Sequence, residues 1–221
     1  MNSLLEVLSK QNVPFSTQEP LAKYTTWKIG GPADIFISPT NEKELQMAIQ
    51  TLNKHSIPWF IIGKGSNLLI KDSGVRGAVI KLSKEFDSFV IEEDKVIAKG
   101  GCSLVKLSLL VSKEGLSGLE FAGGIPGTVG GAVCMNAGAH KSDVSHILTE
   151  ARVMDENGLI FTLTNEELNF SYRKSFLTGK KYIVLDATFQ MSQGEKEEIS
   201  KKQADLKEYR MSTQPLKERS C

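Results

Sequence analysis

The sequence predicts an α+β fold, and three patterns indicate it. Residues 34–62 follow a strand–helix–strand order, because an apolar helix face separates two short apolar runs. Two later segments, 89–98 and 148–163, have the apolar arms and polar tips that are typical of β-hairpins. Two glycine-rich turns lie between these elements, and a chain of 221 residues is long enough to bury a core around them.

The first ninety residues contain a short amphipathic N-terminal helix followed by the β-α-β unit. Asn41 is a predicted N-cap, with Glu44 at the third helical position. This helix is expected to bury one face, since apolar residues recur at helical spacing at Leu45, Ala48, Ile49 and Leu52. The strands of this part are predicted at 34–38, 59–62 and 78–82.

The remaining residues supply the two hairpins and four further helices, one of which belongs to the glycine-rich stretch described below. Ser103 is a predicted N-cap, and the buried face of its helix is formed by Leu104, Leu107, Leu110 and Val111. Thr164 and Glu167 form a capping box for a short helix. A strand is predicted at 182–191, followed by an exposed, highly charged helix at 194–211 and a coil at 214–221.

Composition excludes several classes of function. The 27 basic and 26 acidic residues nearly cancel, which argues against a nucleic-acid partner or an anionic membrane surface. The cysteines Cys102, Cys134 and Cys221 are scattered, which argues against a disulfide framework or a zinc site. The N-terminus lacks the basic region of a signal peptide, and no apolar run is long enough to cross a bilayer. We therefore expect a cytoplasmic protein without membrane insertion and without a metal.

The most distinctive stretch is rich in glycine. Eight of the 24 residues from 115 to 138 are glycine, against roughly 7% in average proteins. Glycine has no Cβ, so such a run lets bare backbone N–H groups approach an anion such as a pyrophosphate. A helix predicted to begin after the glycines, over 132–137, adds its N-terminal dipole. The alternative is a tight corner where two backbones cross.

A second glycine turn, at 63–68, follows the predicted strand 59–62. It departs from the dinucleotide fingerprint because Leu68 stands where the third glycine belongs. It departs from the Walker pattern because Lys64 precedes Ser66 by two positions. The turn is either a strand-end loop that offers free amides and a lysine, or a plain connection between strands.

Single side chains are less informative. Arg173 beside Tyr172 is a candidate substrate clamp, and an ordinary surface arginine is the alternative. His140 and His146 bracket Asp143 without a recognised metal-ligand spacing. No Ser/His/Asp or Cys/His constellation can be assembled from the spacing.

Taken together, these segments resemble the UDP-N-acetylenolpyruvoylglucosamine reductases, also called UDP-N-acetylmuramate dehydrogenases, which act in peptidoglycan synthesis. Five segments carry the resemblance, in the same order along the chain: 26–34, 63–68, 121–132, 135–138 and 172–176. The resemblance implies a two-subdomain FAD-binding fold of the PCMH or vanillyl-alcohol-oxidase type, with FAD held non-covalently. It also implies NADPH as the hydride donor and the enolpyruvyl ether of a UDP-sugar as the substrate.

The resemblance also implies roles for individual residues. It implies that both glycine turns bind the FAD pyrophosphate and the groups next to it. The implied cofactor-binding residues are Gly63, Lys64, Gly65, Ser66, Asn67, Leu68, Gly123, Gly124, Pro126, Gly127, Thr128, Gly130, Gly131, Ala132 and Asn136. Tyr172 and Arg173 are implied to bind the substrate. Arg173 is the implied catalytic residue, because a planar guanidinium can hold the enolpyruvyl carboxylate and stabilise developing negative charge.

The resemblance divides the chain into FAD-binding subdomains at 1–86 and 87–193 and a charged linker helix and tail at 194–221. Members of the family continue into a third domain that binds the UDP-sugar and carries a proton-donor serine and a distal acidic residue. Ser220 does not match that serine and takes no role. We therefore expect a chain that is truncated before the third domain, with flavin binding retained and turnover impaired. Two rivals stay open, a non-catalytic FAD-binding fragment and a flavin oxidase of the same fold.

Overall fold

Two β-sheets organise the part of the chain that the computed structural model describes, residues 2–214. The first sheet has the strand order β1-β2-β4-β3, in which β2, β4 and β3 are parallel and β1 is antiparallel to β2. Its strands are Phe15–Pro20 (β1), Pro32–Ile37 (β2), Trp59–Ile62 (β3) and Val75–Lys81 (β4). Two helices, Asn2–Lys10 (α1) and Glu42–Lys54 (α2), cover one face of this sheet.

The second sheet is antiparallel throughout and has the order β11-β10-β12-β6-β5. Its strands are Phe89–Glu92 (β5), Lys95–Lys99 (β6), Leu148–Met154 (β10), Ile160–Thr164 (β11) and Ile183–Gln190 (β12). Two ribbons of two-residue strands pair Leu116–Ser117 (β7) with Ser192–Gln193 (β13), and Gly138–Ala139 (β8) with Ser142–Asp143 (β9). The helices of this half are Leu104–Lys113 (α3), Val129–Cys134 (α4), Asn165–Leu168 (α5) and Lys196–Thr213 (α6).

The predicted helix starts are confirmed where a polar side chain caps the helix. The Asn41 side chain accepts a hydrogen bond from Glu44 N at 2.9 Å and begins α2. Ser103 caps α3 in the same way, and Thr164 forms the capping box of α5 with Glu167.

The helix predicted to begin after the glycine stretch was placed wrongly. It begins at Val129, three residues before the predicted start, and ends at Cys134. Thr128 caps it by accepting a hydrogen bond from Gly131 N at 3.3 Å. Gly130 and Gly131 therefore lie in the first helical turn, where glycine is unfavourable by about 1 kcal/mol relative to alanine.

The charged helix α6 differs in part from its prediction. Most of its side chains are exposed, but Ile199 is buried and the helix packs on a 3₁₀ turn at Glu120–Gly124. The coil predicted at 214–221 lies outside the described residues except for Gln214.

The two sheets share part of one apolar core. Met154, Ile183 and Leu185 of the second sheet pack in the same cluster as the buried faces of α1 and α2. The predicted division of the chain at residue 86 therefore stays a prediction. In the part of the chain that the structure describes, no helix is long and apolar enough to cross a membrane.

Candidate functional site

The two glycine turns lie against each other, although some sixty residues separate them in the chain. Residues 63–68 follow the end of β3, and residues 123–128 lead into α4. The hydroxyl of Ser66 donates a hydrogen bond to the carbonyl oxygen of Pro126 at 2.8 Å. A Cβ atom on Gly63 would lie only 2.7 Å from Thr128 Oγ1, so the absence of a side chain lets the turns touch. One surface is thus built from both sheets.

This surface offers backbone donors that the protein itself does not use. The N–H groups of Gly65, Ser66 and Asn67 donate no hydrogen bond to any atom of residues 2–214, and the same holds for Gly127 and Thr128. Backbone donors that converge without internal partners are suited to an anion. The strand-end loop with free amides, predicted as one of two alternatives for 63–68, is therefore the arrangement observed.

The glycines of this surface are needed for different reasons. Gly65 has a φ of +62°, and a Cβ there would lie 2.0 Å from the carbonyl oxygen of Tyr24. Gly130 packs on the backbone, since its Cβ would lie 3.0 Å from the carbonyl oxygen of Gly100. Gly131 has no such reason, because it is exposed and its Cβ would meet only Thr128 Oγ1 at 3.5 Å. An exposed helical glycine without an internal reason fits a position against which a ligand lies.

Positive charge lies beside the turn at 63–68. A cavity of about 380 Å³ is lined by Lys23, Lys28, Lys64 and Lys81, together with residues 24–26. Burial lowers the pKa of Lys81, and the neighbouring charge of Lys64 lowers it further. Within residues 2–214, only Lys23 of these four forms a salt bridge, with Glu19. A bound anion would relieve the repulsion between Lys64 and Lys81.

A tight turn presents the predicted substrate-binding pair. The backbones of Ser171 and Lys174 exchange two hydrogen bonds, of 2.9 and 3.1 Å, and Tyr172 and Arg173 form the tip. Tyr172 is 91% exposed, and the Arg173 guanidinium carbon lies 5.9 Å from the centre of its ring. Arg173 is exposed and has a φ of +56°, a left-handed conformation that is unfavourable for an arginine.

Side chains fasten this turn to the C-terminal end of α4. Asn136 donates from Nδ2 to the carbonyl oxygen of Ser171 at 3.1 Å. Ser175 and Thr178 donate from their hydroxyls to the carbonyl oxygen of Cys134 at 2.7 and 2.9 Å. Helix α4 has six residues and is therefore about 9 Å long, and it connects the arginine turn to the glycine stretch. The helix is the common support of both parts of the site.

Asn136 has a use that sequence reasoning missed. Besides its bond to Ser171, its Oδ1 accepts a hydrogen bond from Ser145 N at 3.1 Å. Both polar atoms of the side chain therefore bind within the chain, and Asn136 braces the arginine turn. The cofactor contact predicted for Asn136 stays a prediction.

Helix α6 adds residues at the edge of the glycine stretch. The guanidinium of Arg210 lies over Gly124, where a Cβ would approach Arg210 Nη1 to 2.6 Å. Lys202 donates to the buried carboxylate of Glu120 at 3.1 Å, and Gln203 donates to Ser108 Oγ at 3.0 Å. The sequence of α6, with its few apolar residues, gives no indication that these polar contacts form.

The thiols near the site have low reactivity. Burial raises the pKa of the Cys102 thiol to about 12 and also raises the pKa of Cys134. Both thiols are therefore protonated at neutral pH and poor nucleophiles.

Fold and site together define a flavoprotein. Residues 33–164 match the family of FAD binding domains, and this match covers both glycine turns. The grass pollen allergen Phl p 4, which has glucose dehydrogenase activity, shares the fold with a TM-score of 0.63 over 87% of this chain and 44% of its own. At 14% identity this likeness shows the fold alone. The predicted two-subdomain FAD-binding α+β fold is confirmed.

The closer comparisons identify the family. The chain is 49% identical to the UDP-N-acetylenolpyruvoylglucosamine reductase of Bacillus velezensis, over 97% of this chain and 71% of that protein. It is 45% identical to the enzyme of the same name from Halalkalibacterium halodurans, over 100% and 74%. The crystal structure of the Thermus caldophilus reductase matches with a TM-score of 0.78 at 33% identity, over 91% and 70%. The chain belongs to the UDP-N-acetylenolpyruvoylglucosamine reductase family.

Proposed function

We propose that this chain binds FAD non-covalently on the surface formed by the two glycine turns. We further propose that Arg173 and Tyr172 bind the enolpyruvyl part of a UDP-sugar, which is reduced with electrons from NADPH. The observation that carries the proposal is the contact between Ser66 and Pro126, because it brings the two sets of free amides onto one surface.

The chain's own groups fit the flavin dinucleotide. The pyrophosphate carries two negative charges, which the free N–H groups at 65–67 and 127–128 can neutralise together with Lys64. The open face of Gly131 gives the cofactor close access to the backbone. The protonated thiols of Cys102 and Cys134 support a non-covalent complex. Bound FAD supplies the two-electron redox chemistry that protein side chains lack.

Arg173 is suited to hold the carboxylate of the substrate. Its guanidinium can form two parallel hydrogen bonds to a carboxylate and keeps its charge at any working pH. The three hydrogen bonds from Asn136, Ser175 and Thr178 fix the turn in advance, so less conformational freedom is lost when the substrate binds. A fixed positive charge stabilises the negative charge that develops next to the carboxylate during reduction.

Flavin titration tests the proposal directly. The purified chain, freed of flavin, is titrated with FAD while flavin fluorescence and the visible spectrum are recorded. We expect saturable one-to-one binding, with a change in the visible band. Failure to bind FAD would refute the proposed site.

A second measurement tests the reductant and separates the proposal from a non-catalytic flavin carrier. NADPH is added to the FAD-loaded chain without oxygen, and bleaching of the flavin band is followed. We expect bleaching by NADPH. A flavin band that NADPH leaves unchanged while dithionite bleaches it would support the carrier.

A further inference from the structure

A groove on the second sheet lies far from the flavin surface. It has a volume of about 830 Å³ and lies between β5, the end of α3 and the beginning of α6. Helix α6 starts at the groove with residues 195–197, and Arg210, further along the same helix, contacts Gly124. At 1.5 Å per residue these points are about 20 Å apart. The groove is therefore separate from the proposed flavin site.

The floor of the groove is apolar and only partly covered. It is formed by Phe89, Ile91, Leu110 and Leu116. Leu116 is buried, but the other three are half-buried. Leu110 was predicted to belong to the buried face of α3, and part of its side chain faces this groove instead.

The edge of the second sheet is open beside this floor. Strand β5 is the last strand of the sheet, and it pairs only with β6. Lys99 N donates to Ser88 O at 2.9 Å, so the alternation of antiparallel pairs directs the polar backbone groups of Phe89 and Ile91 outward. Within residues 2–214 these outward N–H and C=O groups have no hydrogen-bond partner. An added strand could bind them.

The rim of the groove is acidic. Glu93, Glu114, Glu195 and Glu197 line it, and Lys196 is the single basic residue of the lining. In the part of the chain that the structure describes, none of the four carboxylates forms a salt bridge. A second copy of this chain would bring the same acidic rim to the contact, and the like charges would repel.

We propose that this groove, going beyond the flavin chemistry, docks an extended segment of a partner protein that has apolar residues at alternate positions and basic residues at both ends. The segment adds to β5 as a sixth strand and hydrogen bonds to the backbone of Phe89 and Ile91. Its alternate apolar side chains face the floor, and the lysines or arginines at its ends, outside the paired stretch, pair with the glutamates of the rim.

Peptide binding tests the proposal on the chain as it is. The probe is a fluorescent peptide of about eight residues, long enough to span β5, in which Val and Thr alternate in the centre and two lysines stand at each end. The matched control peptide has the same centre with glutamates in place of the lysines. We expect the Lys peptide to bind and the Glu peptide not to bind, with affinity falling steeply as salt is raised, because the contact is electrostatic.

Charge reversal at the rim identifies the site. Glu114→Lys combined with Glu195→Lys should weaken binding of the Lys peptide by about tenfold or more. Glu166→Lys combined with Glu208→Lys changes the net charge equally at exposed positions that do not line the groove. This control should leave the affinity within about twofold if contacts at the rim, not net charge, decide binding.

Hydrogen exchange identifies the mode of binding. Peptide binding should slow exchange of the Phe89 and Ile91 amides about tenfold or more, while the amide of Val90, which faces β6, should change little. Equal binding of both peptides, or exchange at 89 and 91 that the Lys peptide leaves unchanged, would overturn the proposal. Dimerisation of the chain that protects the same two amides would assign the groove to a second copy and also overturn it.

Discussion

At the scale of the residue, a substitution at Gly131 distinguishes a glycine that the cofactor requires from one that the fold requires. We expect Gly131→Ala to keep or raise the free energy of unfolding, by up to about 1 kcal/mol, because alanine favours the helix and meets only Thr128 Oγ1. The same change should weaken FAD binding by about tenfold or more if the cofactor lies against this backbone. Urea denaturation and flavin titration give the two numbers.

The matched control is Gly130→Ala in the same helical turn. Its Cβ would lie 3.0 Å from the carbonyl oxygen of Gly100, so this variant should lose stability even without FAD. If Gly131→Ala bound FAD as tightly as the unchanged chain, the cofactor would not contact Gly131.

Arg173 is the second residue whose role can be isolated. Arg173→Ala should leave FAD affinity unchanged within about twofold, but should lower reduction of the enolpyruvyl substrate by about 100-fold or more. Arg173→Lys keeps one charge and loses the two-pronged geometry, so an intermediate loss is expected. The assay is single-turnover oxidation of the reduced, flavin-loaded chain by the substrate. Equal rates for Arg173→Ala and the unchanged chain would remove Arg173 from the reaction.

At the scale of the element, the contact of α6 with the glycine stretch depends on Glu120. This carboxylate is 3% exposed and accepts hydrogen bonds from Ser117, Gly118 N and Lys202. Glu120→Gln leaves at least one buried donor without an acceptor, which should cost about 1–3 kcal/mol in urea denaturation. Lys202→Met should cost under about 1 kcal/mol, since the Lys202 side chain is 61% exposed. Equal losses would mean that the ion pair, not the buried acceptor, fixes α6.

Acid should release the same contact. Burial raises the pKa of Glu120, but hydrogen bonds from Ser117, Gly118 N and Lys202 outweigh it and hold the pKa below its ordinary value of 4.5. A lowered pKa stabilises the fold above the unfolded value, and this contribution disappears as pH falls through the folded value. The stability gap between the unchanged chain and Glu120→Gln should therefore shrink as pH falls below 4.5. Urea denaturation across this pH range measures it, and a constant gap would contradict the assignment.

At the scale of the whole molecule, the sequence predicts what short-range patterns determine. The caps at Asn41, Ser103 and Thr164 and the apolar spacing of α2 are local, and each is confirmed. The start of α4 was missed, because a threonine cap at 128 outweighs the low helix propensity of the two glycines that follow. Contacts between distant positions, such as Asn136 with Ser171 or Lys202 with Glu120, leave no periodic signal in the sequence.

The junction of the two sheets is another such contact. Arg152 on β10 binds Glu42 on α2 at 3.0 Å and Asp186 on β12 at 2.5 Å. Lys99 on β6 lies 3.4 Å from the same Asp186 carboxylate. Arg152 and Glu42 lie 110 positions apart in sequence without any shared motif, yet their ion pair joins the helix of the first sheet to the second sheet. The relative position of the two glycine turns depends on that junction. One turn follows β3 of the first sheet, and the other lies in the part of the chain that forms the second sheet.

Removing Arg152 should therefore affect stability and flavin binding together. The Asp186 side chain is only 7% exposed, so Arg152→Met leaves a buried carboxylate with Lys99 as its remaining cation and should cost about 2–4 kcal/mol. Asp186→Asn in the same chain removes the buried charge, so the two changes should be non-additive by about 1 kcal/mol or more in urea denaturation. Glu42→Gln, at a half-exposed partner, should cost less than about 1 kcal/mol. FAD affinity should fall with Arg152→Met and be regained in part in the double variant, because the surface proposed to bind FAD is built from both halves of the chain. Additive losses with unchanged FAD affinity would show that the ion pair does not couple the sheets.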